Sequence, residues 1–420
     1  MTGLVLEGGG AKGAFHVGAI KALKEMGIQI DAVTGASIGS INGALIAMDD
    51  LERLESIWLD TRIEDIIKGD EKLLEKVAKF EFGDDYDMNQ IGEFLMETLK
   101  NGGLDVTPLK KLLREIIDED ALRRAPIKYG LVTLSLTDLK PIEIFIDDIP
   151  KGKVHDYIMA SANFPAFKIE KIDDKLLVDG GMFDNLPINM MLDKGYDEII
   201  AIRVMGLGRQ RKIKKKKDVK ITMVKPSEDL GKTLEVSPEK AAYNMKLGYY
   251  DTYRVFKNLK GSRYYVRGEI DEELVFNELI NLSDRTLDDV GELLGIDKPP
   301  KRLLFEDVIP LMKNLLGIDD RATYGEIALA LYEFLAGEFE IDRFRILTFE
   351  QLVGLVHRRY REERVDLSSG RSDLTKKLIG FLSVKTNALF PKKLKDETLR
   401  HLFYMLFETG FLVEGETVDA

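Results

Sequence analysis

Gly35-Ala36-Ser37-Ile38-Gly39 places a serine between two glycines at the G-x-S-x-G spacing of a nucleophile elbow, the tight strand-to-helix turn that lifts a hydroxyl clear of a sheet. Upstream, the run Gly8-Gly9-Gly10-Ala11-Lys12-Gly13 also fits the G-x-G-x-x-G fingerprint of a dinucleotide site. That fingerprint requires an acid at the end of the following strand to hold a ribose. Here Asp31 stands at the start of that strand, and the strand ends in TGASIGS. A P-loop is also excluded, because Ala14 and not lysine follows the last glycine. Backbone amides freed of Cβ atoms serve a second chemistry, the stabilisation of an oxyanion in acyl transfer. On that reading Gly8 to Gly13 form the oxyanion loop and Ser37 is the nucleophile.

A serine nucleophile needs a base. The four histidines do not offer one readily: His16 reads as a helix-surface or packing residue, His155 lies in KVHDYIM without a shaped turn, and His357 and His401 sit in helical patterns of the tail. Asp179, in LLVDGGMFDNLP, ends an apolar strand and precedes two glycines, which suits either a plain D-G turn or a polar side chain with room beside it. Lys12 has two readings, a solvated side chain or a positive charge close to a phosphate headgroup. Asp84, Asp85 and Asp87 suggest calcium, but an EF-hand needs glycine where Gln90 stands and glutamate where Met96 stands, so they read as a surface loop. The run Arg209 to Lys220 places eight basic residues in twelve positions and reads either as a solvated loop or as a contact for anionic membrane headgroups.

The elements that must position these residues follow from periodicity. A strand over Gly3 to Leu6, a helix over Ala14 to Met26, a strand over Gln29 to Gly35 and a helix over Ile38 to Met48 make a β-α-β-α opening, which predicts a parallel, helix-covered sheet. Both glycine-rich turns then lie at carboxyl ends of strands, close together if those strands are neighbours. Helical patterns fill most of Leu51 to Leu122. YGLVTLSLTD, PIEIFI, KLLVDGG and DEIIAIRVMG read as further strands. From Asp284 onward the pattern is helix after helix, which divides the chain into an α/β domain over residues 1–283 and a helical domain over 284–420.

Composition sets the limits. With 420 residues, 45% of them hydrophobic, the chain can bury one large core and a smaller one. The absence of cysteine excludes disulfides, thiolate metal sites and a cysteine nucleophile. The formal charge of -12 argues against nucleic acid as a partner. The acid is uneven: residues 271–420 carry 20 Lys+Arg against 29 Asp+Glu, leaving -3 for the remainder. No signal peptide and no apolar run of membrane-spanning length is seen, so a cytoplasmic location, peripheral at a membrane if Arg209 to Lys220 binds one, is expected.

Three blocks in order, GGGAKG at Gly8 to Gly13, GASIG around Ser37 and DGG at Asp179 to Gly181, resemble the patatin-like phospholipases, as do ASANFPAF at Ala160 to Phe167 and SPEKAAYNMKLGYYDTYR. The resemblance covers residues 1 to 267. It implies a three-layer α/β/α sandwich with a mostly parallel sheet, followed here by an all-helical C-terminal domain that it leaves unmatched. It further implies a Ser-Asp dyad, Ser37 as nucleophile and Asp179 as base, with an oxyanion hole from the amides of Gly8, Gly9, Gly10, Ala11, Lys12 and Gly13 and with Gly35 and Gly39 shaping the elbow. The activity implied is hydrolysis of fatty-acyl esters of lipids, with no cofactor and no metal. Two other classes are kept in view: a non-catalytic membrane- or partner-binding module on the same fold, and a dinucleotide-dependent oxidoreductase. The helical tail reads as self-packing, as a lid, or as a partner-binding element.

Overall fold

The segment TGLVL forms β1 (Thr2–Leu6), and its Leu4, Val5 and Leu6 are wholly buried. Successive side chains of a strand point to opposite faces, so complete burial requires cover on both sides. On one face Val5 packs with Ile188, Met191 and Leu192. A computed structural model describes residues 1–69, 102–168, 171–172, 174–363, 373–378 and 391–407. The acidic run at Asp84 to Asp87 and the last stretch of the tail, residues 408–420, lie outside these.

Strands β2 (Ala32–Gly35), β3 (Lys128–Ser135), β4 (Lys140–Phe145), β5 (Lys171–Ile172), β6 (Lys175–Asp179), β7 (Glu198–Ile202) and β8 (Lys220–Val224) complete an eight-stranded sheet in the order β5-β6-β3-β2-β1-β7-β8, with β4 also paired to β3. From β3 through β2, β1 and β7 to β8 all pairings are parallel. The β3–β4, β3–β6 and β5–β6 pairings are antiparallel. The sheet is therefore mixed and mostly parallel. Helices α1 (Ala14–Glu25), α2 (Ile38–Ala47) and α3 (Leu51–Asp60) follow the first two strands, with α2 packed on β1, β2 and β3. They are followed by α4 (Thr107–Ile116), α5 (Val154–Ser161), α6 (Gly181–Asp184), α7 (Ile188–Asp193) and α8 (Pro238–Lys257). The expected opening thus folds as a β-α-β-α unit with ends within a few residues of those read from periodicity. β8 was not among the expected strands, because the lysines that precede KITMV mask its short apolar pattern.

The chain divides into compact units Met1–Phe256 and Lys257–Ala420, earlier than the boundary expected between residues 283 and 284. The reason is packing. β9 (Tyr265–Val266) pairs in parallel with β10 (Ile346–Leu347), and Tyr264, Val266, Val275 and Leu279 are buried in the core of the helical unit. Its helices include α9 (Glu272–Ile280), α10 (Asp284–Leu294), α11 (Ile309–Leu316), α12 (Tyr324–Glu338), α13 (Phe349–Glu363) and α14 (Lys392–Phe407). Thr323 and Glu326 cap α12 reciprocally, each accepting the other's backbone N–H. Further along α12, the buried carboxylate of Glu333 accepts from the backbone amides of Ser262 (3.0 Å), Arg263 (2.8 Å) and Tyr264 (2.6 Å) and from the Ser262 hydroxyl (3.0 Å). One side chain thereby holds the segment that leads into β9 against the helix.

Replacing Glu333 with alanine strands three backbone donors, so Glu333→Ala is expected to destabilise the helical unit by about 2–4 kcal/mol in urea or thermal unfolding. A loss below the error of the measurement would refute this account of the boundary.

Candidate active site

At the carboxyl end of β2 the chain turns from Gly35 into α2 through Ser37, whose backbone takes φ 52 and ψ -127. Positive φ in a residue with a Cβ is strained, at about 1–3 kcal/mol, and survives only where the surroundings determine it. They do so here. The Ser37 amide donates to Ser161 Oγ (3.2 Å), and its carbonyl accepts from the amide (2.9 Å) and the hydroxyl (2.7 Å) of Ser40. The turn is also too tight for side chains: a Cβ on Gly35 would lie 2.3 Å from the Gly39 carbonyl group, and one on Gly39 would lie 2.4 Å from the carbonyl oxygen of Leu6. Gly35 and Gly39 are thus required at the elbow.

β1 and β2 are parallel neighbours with Leu6 opposite Gly35, which brings the loop after β1 beside Ser37. A Cβ on Gly8 would lie 3.0 Å from that of Ser37. Not every amide of Gly8 to Gly13 remains available. Gly8 N–H donates to the Asn185 carbonyl (3.1 Å), Ala11 N–H to that of Thr233 (2.8 Å) and Lys12 N–H to that of Gly9 (3.3 Å). Gly13 closes the short 3-10 turn Gly10–Gly13 that leads into α1. Among the described residues, the amides left without a protein acceptor are those of Gly9 and Gly10. Of the loop's six residues, Gly9 and Gly10 thus keep a donor, while the Ala11 amide is taken by Thr233.

Of the two readings of Lys12, the solvated side chain is not the one found. Its side chain is buried, not solvated, and Nζ donates to the Met205 carbonyl (3.2 Å). Two further residues that sequence reading passed over hold the loop. Glu7, fully buried, accepts from the amides of Val204 (2.7 Å) and Met205 (2.9 Å), from Gln210 Nε2 (2.8 Å) and from Arg203 Nη2 (3.2 Å). Asn185 Nδ2 donates to the Gly8 carbonyl (3.0 Å). The available signal was a polar residue at each end of a buried segment, Glu7 after LVL and Asn185 after DGGMFD.

Asp179 ends β6, and its level is set by β3. Residues Lys128 to Leu131 of β3 pair with β2, ending with Leu131 opposite Gly35. β4 pairs with Gly130 to Ser135 and so occupies the other edge of β3. β6 pairs with Thr133 to Ser135, on the edge that β2 has vacated by turning into the elbow. Asp179, opposite Thr133, is then two residues beyond Gly35 along the same edge, roughly 7 Å of strand rise. Its carboxylate accepts the Gly181 amide (2.7 Å). Asp179 is 6% exposed, and burial pushes its pKa up to about 6, with Ser37 and the Gly181 amide opposing the rise. Gly180 and Gly181 make the bend of a D-G turn, and the carboxylate at its start is buried.

The histidines have partners of their own. His16 is a buried packing residue with Asn42 Nδ2 at 3.2 Å from its Nδ1, and burial lowers its pKa to about 3. His155 Nε2 lies 2.8 Å from the Ile117 carbonyl, and His401 Nδ1 lies 2.9 Å from that of Glu397. His357 stacks on Tyr332, with Nε2 3.1 Å from its hydroxyl. Asp31 accepts the Thr2 amide (2.7 Å) at the amino ends of the strands, the far end of the sheet from the glycine loop, which removes the ribose role. No group of three or more His, Asp or Glu that could hold a metal occurs among the described residues.

Ser37 opens on a cavity of about 910 Å³, counting its solvent-open mouth, walled by Ile41, Leu45, Leu54, Trp58, Leu113 and Phe164 among others. Its lining is overwhelmingly apolar. The basic run does not form one patch. Arg211 pairs with Glu143 (2.9 Å), Lys214 with Asp193 (2.6 Å) and Lys220 with Glu198 (3.3 Å), and Lys216 reaches the Leu192 carbonyl. The segment thus descends along α7 from the site end of the sheet toward the opposite end. No helix among the described residues is long and apolar enough to cross a membrane.

Residues 4–192 match the family profile described as Patatin-like phospholipase. A patatin-like phospholipase domain-containing protein of Caenorhabditis elegans is 30% identical over 205 residues, which are 48% of this chain and 13% of that protein. A lysophospholipase of Kluyveromyces lactis is 31% identical over 217 residues, 48% of this chain and 12% of that protein. The chain therefore spans about an eighth of the length of these relatives. Among solved structures, VipD from Legionella pneumophila aligns over 99% of this chain and 92% of its own, with 15% identity and a TM-score of 0.39. Residues 4–192 hold the glycine loop, the Ser37 elbow and Asp179, so the part of the chain that carries the candidate site is the part that is similar to the patatin-like phospholipases.

Proposed function

We propose that the chain is a serine lipid acyl hydrolase of the phospholipase A, lysophospholipase or carboxylesterase type, acting through Ser37 and Asp179. The observation that carries the reading is the strained Ser37 elbow at the mouth of an apolar cavity, with the buried Asp179 carboxylate two residues further along the same edge of β3. Ser37 Oγ attacks the ester carbonyl of a fatty-acyl chain lodged in that cavity, and Asp179 takes the serine proton. The amides of Gly9 and Gly10 face the developing oxyanion. Collapse of the tetrahedral species expels the alcohol, which receives the proton from Asp179, and leaves an acyl-serine. Asp179 then draws a proton from water, whose oxygen attacks the acyl-serine to release the fatty acid.

An aspartate with the ordinary pKa near 3.9 is a weak base for a hydroxyl. Burial narrows the mismatch by raising Asp179 to about 6 while leaving it mostly ionised at neutral pH. No step calls for a metal or a cofactor. The lipid substrate, a cytoplasmic location and a peripheral membrane contact belong to the same proposal.

A fluorophosphonate probe is expected to label the wild type covalently and to leave Ser37→Ala unlabelled; equal labelling of both would sink the proposal. Asp179→Asn is expected to lower kcat by about 10²–10⁴-fold, the range for removing a general base.

Activity is expected to rise with pH through about 6, as Asp179 loses its proton. Asp184 is also raised to about 6, by burial, so Asp184→Asn is the control: it keeps the inflection if Asp179 sets it.

Stability runs the other way. A carboxyl whose pKa is raised on folding favours the native state at low pH, and that contribution is lost as pH climbs from the unfolded value to about 6. At pH 7.5 Asp179→Asn should therefore fold more stably than wild type, by up to about 3 kcal/mol, in thermal or urea unfolding. A destabilised variant would contradict this.

A further inference from the structure

Three large apolar side chains stand in solvent around the Ser37–Asp179 site: Met182 (46% exposed), Met205 (51%) and Leu207 (47%). Met182 follows the Gly181 that donates to Asp179. Met205 and Leu207 flank Gly206, which is pressed so tightly against the glycine loop that a Cβ there would lie 1.8 Å from the Gly8 carbonyl oxygen. The next residues continue the rim. The Arg209 amide donates to the Gly181 carbonyl (2.8 Å), and the Arg209 carbonyl accepts from Asn185 (2.7 Å).

The segment is not loose chain. Met205 has φ 52, a conformation that residues with a Cβ rarely adopt, and it is held there by the buried Glu7 carboxylate on its amide and by Lys12 on its carbonyl. A strained backbone, fixed by buried charges, thus presents an apolar side chain to water at the edge of the site. Exposed apolar groups clustered in this way mark an interaction surface. Beside them, Arg209 and Lys212 are exposed and have no acidic partner among the described residues, in contrast to Arg211 and Lys214. In a chain of net charge -12, two unpaired cations at this rim favour an anionic surface over the general solvent.

We infer that Met182, Met205 and Leu207, with Arg209 and Lys212, form an interfacial docking rim that seats the site on the surface of an anionic lipid aggregate, the thioether and leucine side chains entering the acyl boundary and the cations meeting headgroup phosphates. The inference rests on the acyl-hydrolase reading and names the physical form in which that substrate is taken. It also divides the basic run differently from a single polybasic patch. Arg209 and Lys212 act at the interface, whereas Lys214, Lys216 and Lys220 are engaged along α7 and β7.

The test separates docking from chemistry. Co-sedimentation with phosphatidylcholine vesicles, with and without phosphatidylglycerol, is measured on the full chain carrying Ser37→Ala, so that no turnover intervenes. Hydrolysis of a water-soluble short-chain nitrophenyl ester and of the same vesicles is measured on chains with Ser37 intact. Adding Met205→Asn and Leu207→Ser, with asparagine chosen because it tolerates positive φ, is expected to weaken vesicle binding and vesicle hydrolysis by about tenfold or more with the soluble ester unchanged. Arg209→Gln with Lys212→Gln is expected to abolish the preference for phosphatidylglycerol. Vesicle binding within twofold of wild type in the Met205/Leu207 variant overturns the inference, and so does a wild type that binds neither vesicle. Loss of soluble-ester hydrolysis by wild type would instead count against Ser37 chemistry, whatever the binding result.

Discussion

The site depends on the shared edge of β3. β2 uses that edge up to Leu131 and then leaves it at the elbow, and β6, running the opposite way, takes it from Thr133. Two strands far apart in sequence therefore end nearly head-on along one ladder. The hydrogen-bond register fixes their separation, and with it how far the Ser37 elbow stands from Asp179. A slip of one residue in the β3–β6 pairing would turn Asp179 to the other face of the sheet.

Around this junction the backbone is arranged against its own preferences, and buried polar groups maintain it. Ser37 and Met205 both adopt positive φ. Ser161 links the two halves of the pair, since its hydroxyl accepts the Ser37 amide and its carbonyl accepts the Gly180 amide (3.2 Å). Asn185 and Glu7 bind the glycine loop to the segments after β6 and β7. Each of these groups is buried with its partners in place, which is the condition for a polar network to rigidify a site. The same burial removes water from Asp179 and raises its pKa, so the support of the geometry and the tuning of the carboxylate have one physical origin.

The helical unit was recognisable as helical from its periodicity, but its limit was not. Tyr264 to Leu282 read as a continuation of the α/β pattern because the change to repeated helices comes later. Glu333 and the β9–β10 pairing assign that segment to the second core, and both partners lie far along the chain. Domain limits follow from which core a segment enters, which local pattern cannot express.

What the sequence determined by itself was local: the β-α-β-α opening, the two glycine turns at strand ends, the need for glycine at positions 35 and 39, and the serine between them. These depend on φ/ψ freedom, side-chain period and turn length, all of which act over a few residues. Asp179 was visible only as one of two readings, because a D-G turn and a strand-terminal carboxylate have the same local pattern. Only tertiary structure decided that Asp179 is buried on the edge of β3 that β2 vacates, that among the described residues the amides of Gly9 and Gly10 are left without an acceptor, and that Lys12 turns inward. Those outcomes depend on strand register and on which donors find acceptors more than a hundred residues away, relations that arise only when the sheet is assembled.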